Sequence, residues 1–157
     1  MAVKQLLLKL GFGAVICVIG ILVVADVTSA SGTRDQEPIN AFLDYYFSSW
    51  SNRDMDAYKN CFHPKATIVF LDRANAPHAF PSLDVFIRTQ EEAHQKSAGK
   101  MREVPLDKRI TMVGKMSQAT VRWKLLKGLQ TVTGVDLFTL VLTPKGWKIL
   151  HLTFLND

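Results

Sequence analysis

Two cysteines and four histidines in 157 residues exclude much of the chemistry that a chain of this size can carry. Cys17 lies in an apolar N-terminal run, so removal of that run leaves Cys61 alone, with no intramolecular disulfide to form. The domain must then be held by its apolar core. Cys61 stands beside Phe62 in an expected helix, where a thiol behaves as a small hydrophobe. His63, His78, His94 and His151 show no metal-ligand spacing, and neither a metal nor another cofactor is expected. There is no glycine-rich phosphate loop and no GxSxG turn. Positive charge is in excess, at +5, but Lys100, Arg102, Lys108 and Arg109 are interleaved with Glu103 and Asp107. Nucleic-acid binding asks for a continuous basic stripe with exposed aromatics, so these charges read as a solvated face.

The apolar run is itself short. Residues 10–25, LGFGAVICVIGILVVA, are 16 uncharged residues, where a membrane-spanning helix needs roughly 20. Lys4 and Lys9 precede the run, Asp26 ends it and the small residues Thr28-Ser29-Ala30 follow. This is the pattern of a secretory signal over residues 1–30, which predicts a protein exported to the periplasm or the medium. Two alternatives stay open: an uncleaved membrane anchor formed by residues 1–25, and a buried core helix. Cleavage would remove Lys4, Lys9 and Asp26 and take the net charge from +5 to +4.

Residues 31–37, SGTRDQE, are polar and without period, as in a linker. From Pro38 the pattern changes. Ile39, Phe42, Leu43, Tyr46, Phe47 and Trp50 form one helical stripe across residues 38–51. Asp54 can cap a second, short helix, which must end near His63 because Pro64 follows. Ala66–Leu71 is β-branched and apolar, a strand, and the residues from Asp72 to Pro81 form a loop. Ser82 caps a third helix, with Gly99 placed to stop it. His94 falls one turn from that helix's end, where the dipole favours it.

Four strands then follow near residues 102–113, 116–127, 131–143 and 147–155, with Gly114, Gly128 and Pro144-Lys145-Gly146 at the joins. Strands with short joins make an antiparallel sheet, and the helices must gather on one of its faces. Residues 131–143 are apolar on both sides: Val132, Phe138 and Leu140 on one, Val135, Leu137 and Val141 on the other. Helices can cover only one side, so the outer face is expected to meet a second copy in a homodimer.

Asp136 interrupts the first of those apolar sides. A carboxylate there must be paired, hydrogen-bonded or held neutral by a raised pKa. Pairing Leu142 with Trp147 across the turn sets Phe138 opposite His151 and Asp136 opposite Thr153, which puts His151 diagonal to Asp136 on one face. An acid and an imidazole among apolar neighbours suit proton transfer in a cavity, or equally a structural contact in the core. Tyr46, on the buried helical stripe, needs an inner partner for its hydroxyl. Asp136, His151 and Tyr46 are therefore the candidate catalytic residues, and Trp50, Phe70, Phe138 and Phe42 the candidate ligand-contacting wall.

With these elements in place, residues 38–157 resemble the nuclear transport factor 2-like superfamily, which includes ketosteroid isomerase, scytalone dehydratase and polyketide cyclases of the SnoaL type. INAFLDYYFSSWSNRDMDAYKNCFHPKATIVF is similar to its opening helix pair and first strand, and GVDLFTLVLTPKGWKILHLTF to its closing hairpin. The resemblance implies an α+β fold of the cystatin-like kind, a strongly curved sheet wrapped around three helices, with a pocket at the open end and dimerisation through the outer sheet face. It also implies that Tyr46 stands where ketosteroid isomerase keeps its oxyanion-binding tyrosine, and Asp136 where it keeps a protonated aspartate, a pair that serves as a standard example of an acid held neutral by an apolar site. The general base does not carry over: Phe70 occupies its place, with Asp72 two residues on.

The expectation is an exported domain that binds a small apolar or aromatic molecule. Two alternatives stand beside it: an isomerase, cyclase or dehydratase acting on an apolar carbonyl compound by acid–base chemistry, and a structural or interaction module with its pocket packed shut.

Overall fold

Period-two alternation from Met101 onward, broken only by two-residue turns, produces four long strands in succession: β3 (Met101–Val113), β4 (Met116–Lys127), β5 (Gln130–Thr143) and β6 (Gly146–Asn156). Gly114, Gly128 and Gly146 take φ of 59°, 61° and 95° at the turns, a region that costs glycine little and most residues much. Before them come α1 (Thr28–Ser51), α2 (Met55–Asn60), β1 (Phe62–Leu71), β2 (Pro77–Ala79) and α3 (Leu83–Lys96). The computed structural model describes residues 28–98 and 101–157, with side chains from residue 36 onward. The expected leader of residues 1–30 lies outside the described residues apart from its last three, as does Gly99.

All six strands join one sheet in the order β2-β1-β6-β5-β4-β3. Pairing is antiparallel except between β1 and β6, which run parallel, so the sheet is mixed. Its inner face supplies Val121, Phe138, Leu140, Ile149 and Leu152 to the core. From α1 come Ile39, Leu43, Tyr46, Phe47 and Trp50, all buried, which is the helical stripe seen in the sequence. Phe86 and Ile87 of α3 and Tyr58 of α2 complete the cluster.

β3 lies at an open end of the sheet, and α1 runs against it. Ser51 Oγ donates to the Glu103 carbonyl at 3.1 Å and accepts from the Glu103 N–H at 2.9 Å. Farther along, Gln36 Nε2 donates to the Ile110 carbonyl at 3.1 Å. Lys108 reaches Asp44 of the helix.

Several boundaries differ from expectation. The polar stretch 31–37 is helical, and α1 begins at Thr28 with Pro38 inside it. An interior proline removes one hydrogen bond and costs about 3 kcal/mol, but the flanking Arg, Gln and Glu residues are good helix formers. α2 stops at Asn60 with Cys61 as its C-cap, and β1 begins at Phe62 rather than Ala66. Pro64 falls within the register irregularity between Phe62 and Thr67, where no ladder N–H is required of it. Residues 77–79 form a short strand inside the expected loop. Ser82 caps α3 by accepting from Val85 N at 3.2 Å, as anticipated, and Ala98 after the helix takes a left-handed φ of 50°.

The change with most consequence is in β6. Leu142 pairs with Trp147 as expected, and the pairs Leu140–Ile149 and Thr139–His151 follow, leaving Leu150 over. This β-bulge shifts the register by one residue. Phe138 faces Leu152 and Asp136 faces Phe154. Because side chains alternate, one extra residue exchanges the two faces of everything beyond it.

Candidate functional site

Inside the sheet, between it and the helices, lies a partly open cavity of about 120 Å³. Asp136 on β5 reaches it, with only 4% of the residue exposed. Trp123 on β4 donates its indole N–H to Asp136 Oδ1 at 2.7 Å. The second carboxyl oxygen makes no hydrogen bond among the described residues and is left to the cavity. Burial pushes the Asp136 pKa up to about 7, against the Trp123 hydrogen bond, which favours the ionised form. Near neutrality this group is poised between acid and carboxylate.

Trp123 has its place because of Gly134. A Cβ at that position would stand 2.3 Å from the Leu155 carbonyl oxygen and 2.3 Å from Trp123 Cζ2. The indole lies over a glycine because nothing larger leaves it room, and that contact aims its N–H at Asp136.

A second carboxyl shares the cavity. Glu103 on β3 also lines it, and its pKa is raised well above the ordinary value, first by burial and then by the charge of Asp136. Sequence reasoning missed this residue, taking Glu103 for one of the acids scattered among surface lysines and arginines. The signal was present in the alternation of β3: Met101, which is buried, and Glu103 share a face, and Glu103 pairs with Leu125, another cavity residue.

Tyr46 and Tyr58 form a third polar element, their hydroxyls 2.9 Å apart. Burial is the main cause that raises both phenol pKa values well above 10, so both remain neutral. The inner partner that Tyr46 requires is thus another tyrosine. Trp50 donates its indole N–H to Gln90 Oε1 at 3.0 Å, and Phe86, Leu152 and Phe154 close the apolar wall.

The expected site residues separate into those the fold gathers here and those it does not. Tyr46, Trp50 and Asp136 line the cavity. Phe138 shares their face but packs edge-on to Tyr46, ring centres 5.2 Å apart, as core beneath the wall. Phe42 is half-buried against the core and does not line the cavity. Phe70 lies farther out, 5.2 Å from the Phe154 ring, and borders a neighbouring depression with Asp72 and Asn156. Asp72 is engaged with His78, at 2.9 Å.

His151 is the clear correction. The bulge at Leu150 turns it to the outer face of the sheet, where it contacts Thr67 Oγ1 at 2.6 Å and Thr153 Oγ1 at 2.8 Å. No imidazole from β6 enters the cavity. His94 stands in the last turn of α3 as expected, but it is buried against Trp50, ring centres 4.3 Å apart, and neither ring nitrogen finds a partner among the described residues. Burial, and then the nearby Arg53 charge, lower its pKa. Cys61 is buried, with its thiol pushed up to about 12 by desolvation, and has no nucleophilic character.

A mixed sheet wrapped on three helices with an acid-bearing pocket on its inner face is the arrangement of the nuclear transport factor 2-like, or cystatin-like, fold. Residues 34–155 match the family described as "Putative lumazine-binding", and the chain belongs to that family. Among solved structures, it is similar to a nuclear transport factor 2-like protein of unknown function from Shewanella oneidensis MR-1, at 17% identity over 77% of this chain and 98% of that one, TM-score 0.64. It is also similar to a protein from Streptomyces avermitilis described as a "putative dehydratase" of the same fold family, at 12% identity over 80% and 98%, TM-score 0.67. A third is the β subunit of a "putative aromatic-ring-hydroxylating dioxygenase" from Novosphingobium aromaticivorans, at 16% identity over 81% and 92%, TM-score 0.65. No curated protein matches the chain. At these identities the likeness is one of fold.

Proposed function

We propose that this domain binds a small planar ring compound in the Asp136 cavity, with lumazine, the molecule in the family's description, as the first candidate. The observation that carries the reading is the Asp136 carboxyl, held out of water by aromatic walls, with one oxygen fixed by Trp123 and the other facing the cavity. Near neutrality the cavity-facing oxygen can donate when protonated and accept when ionised. A ring that carries both an N–H and a carbonyl, as lumazine does, has a partner for either state. The volume of about 120 Å³ approaches that of an apolar cavity of about 150 Å³ that holds benzene, and the cavity is open on one side, so a ring need not be fully enclosed.

Trp50 and Trp123 both line the cavity, so intrinsic fluorescence reports its occupancy. Lumazine is expected to quench it saturably, and Asp136→Leu, if still folded by circular dichroism, to abolish the quenching. Equal binding by the two proteins would remove Asp136 from the site, and no binding of lumazine or of the one-ring amide benzamide would end the reading.

The enzymatic alternative keeps one supporting observation: two carboxyls line one cavity, both with pKa values raised by burial, the kind of pair in which one group can hold a proton while the other gives its own up. On this reading Asp136 and Glu103 would serve an isomerase, cyclase or dehydratase, without His151. A pH–rate profile that loses one limb in Glu103→Gln would support it. The open cavity argues against a module packed shut.

Two further elements belong to the proposal. Export rests on the charge and hydropathy pattern of residues 1–30 and is checked by cell fractionation of the full chain. A homodimer through the outer sheet face rests on Leu137, which is exposed there; light scattering that returns a monomer mass would dismiss it.

A further inference from the structure

The cavity has a one-sided charge. Among the described residues, its ionisable groups are Tyr46 from α1, Tyr58 from α2, Glu103 from β3 and Asp136 from β5. The walls contributed by α3, β4 and β6 hold nothing that titrates between pH 5 and 9. No lysine, arginine or histidine lines it. His94 stacks on Trp50 without being part of the lining. Among the described residues, the site therefore holds two carboxyls and no cation to balance them.

We propose that this cavity selects its occupant by charge, taking rings that carry a cationic or N–H-rich nitrogen group, such as an amidine or aminoazine, and rejecting carboxylates and phosphates. The inference rests on the reading of the cavity as a ligand site and specifies the ligand's chemical class. An anion would enter beside two acid groups that already oppose each other's ionisation, among walls that are mainly aromatic and apolar. An amidinium supplies the missing positive charge and N–H donors for carboxyl oxygens that lack a protein partner. Asp136 offers one such oxygen free of protein partners, and the Glu103 carboxyl makes no hydrogen bond among the described residues.

The two acids interact, so their protons leave as a pair rather than from independent sites. Burial keeps both protonated well above the usual carboxylate range. A cation that binds must then displace a proton, and its affinity rises as pH increases through the ionisation of Asp136, at about 7. A neutral amide binds the protonated pair and loses affinity over the same interval. The phenols stay neutral throughout, so Tyr46 and Tyr58 add no competing titration.

The test uses the full chain and three probes of one shape: benzamidine, benzamide and benzoate, titrated by tryptophan fluorescence at pH 6, 7 and 8, with lumazine alongside. Benzamidine is expected to bind at least tenfold more tightly than benzoate at pH 8, and to gain about tenfold between pH 6 and 8 while benzamide does not gain. Calorimetry in two buffers of different ionisation enthalpy should show proton release with benzamidine only. Asp136→Asn and Glu103→Gln keep the shape of the cavity and should each flatten the benzamidine pH dependence. Equal affinity for the three probes, or preference for benzoate, overturns charge selection while leaving the pocket reading intact. So does quenching by lumazine without binding of benzamidine. If no probe and no lumazine binds, the ligand-site reading itself fails, and this inference with it.

Discussion

Replacing Asp136 by Asn removes a buried acid's proton equilibrium while retaining an oxygen for the Trp123 N–H. In the native protein the Asp136 pKa stands at about 7, against a reference value of 3.8 for the exposed group. A folded pKa above the unfolded one contributes stability that is complete below the unfolded value and lost as pH rises through the folded value. Each unit of pKa difference corresponds to about 1.4 kcal/mol. Between pH 5 and 8, where the unfolded group is already ionised and the native one becomes so, the wild type should lose roughly 2–3 kcal/mol relative to Asp136→Asn. For a domain of this size that is on the order of 10 °C in the difference of melting temperatures. The assay is urea or thermal denaturation of both proteins across that range, and their difference cancels the titration of the surface groups common to both. Glu103 adds to the effect, since loss of the Asp136 charge also eases its own ionisation. Parallel stability curves for the two proteins would refute the reasoning, because they would mean that Asp136 is already ionised or solvated when folded.

His94 gives a slope of the opposite sign. Its folded pKa lies below 6.5, so below that pH the unfolded chain takes up a proton that the native state refuses, and stability falls on acidification. His94→Phe should flatten the acid limb between pH 6.5 and 5 in a denaturation series, and an unchanged limb would locate the acid sensitivity elsewhere. Gly134→Ala should destabilise by at least about 2 kcal/mol, because its Cβ meets a backbone oxygen that cannot yield as well as the Trp123 ring. Near-UV circular dichroism should register the displaced indole, and a variant as stable as wild type would show that the close approach of Trp123 to residue 134 is wrong.

What was legible in the sequence was set by local signals. The turn glycines bracket β4 at Met116 and Lys127, where the alternation placed it, and the α1 stripe from Ile39 to Trp50 is buried as its spacing required. Asp136 is buried because its strand neighbours left it no other option. What was not legible depends on partners distant in sequence. The bulge at Leu150 carries no glycine or proline to mark it, and it arises where β5 and β6 adjust their pairing. That one residue separates His151 from Asp136. Glu103 was hidden by its neighbours Arg102 and Lys100, since a charge between charges looks solvated until the strand's partner is known. The helical state of residues 31–37 left no periodic trace either, because polar residues without a buried stripe can be helix or linker alike.

The contacts between α1 and β3 bear on how this molecule behaves at high concentration. A strand at the end of a sheet normally offers its spare amides as a template for a stranger's backbone. Here Ser51 takes up both backbone groups of Glu103 and Gln36 takes the Ile110 carbonyl, so stretches of that template are already used. The opposite end is β2, three residues long and opened by a proline. Neither border invites a seventh strand, which steers self-association away from fibre-like growth and toward whatever meets the broad convex surface.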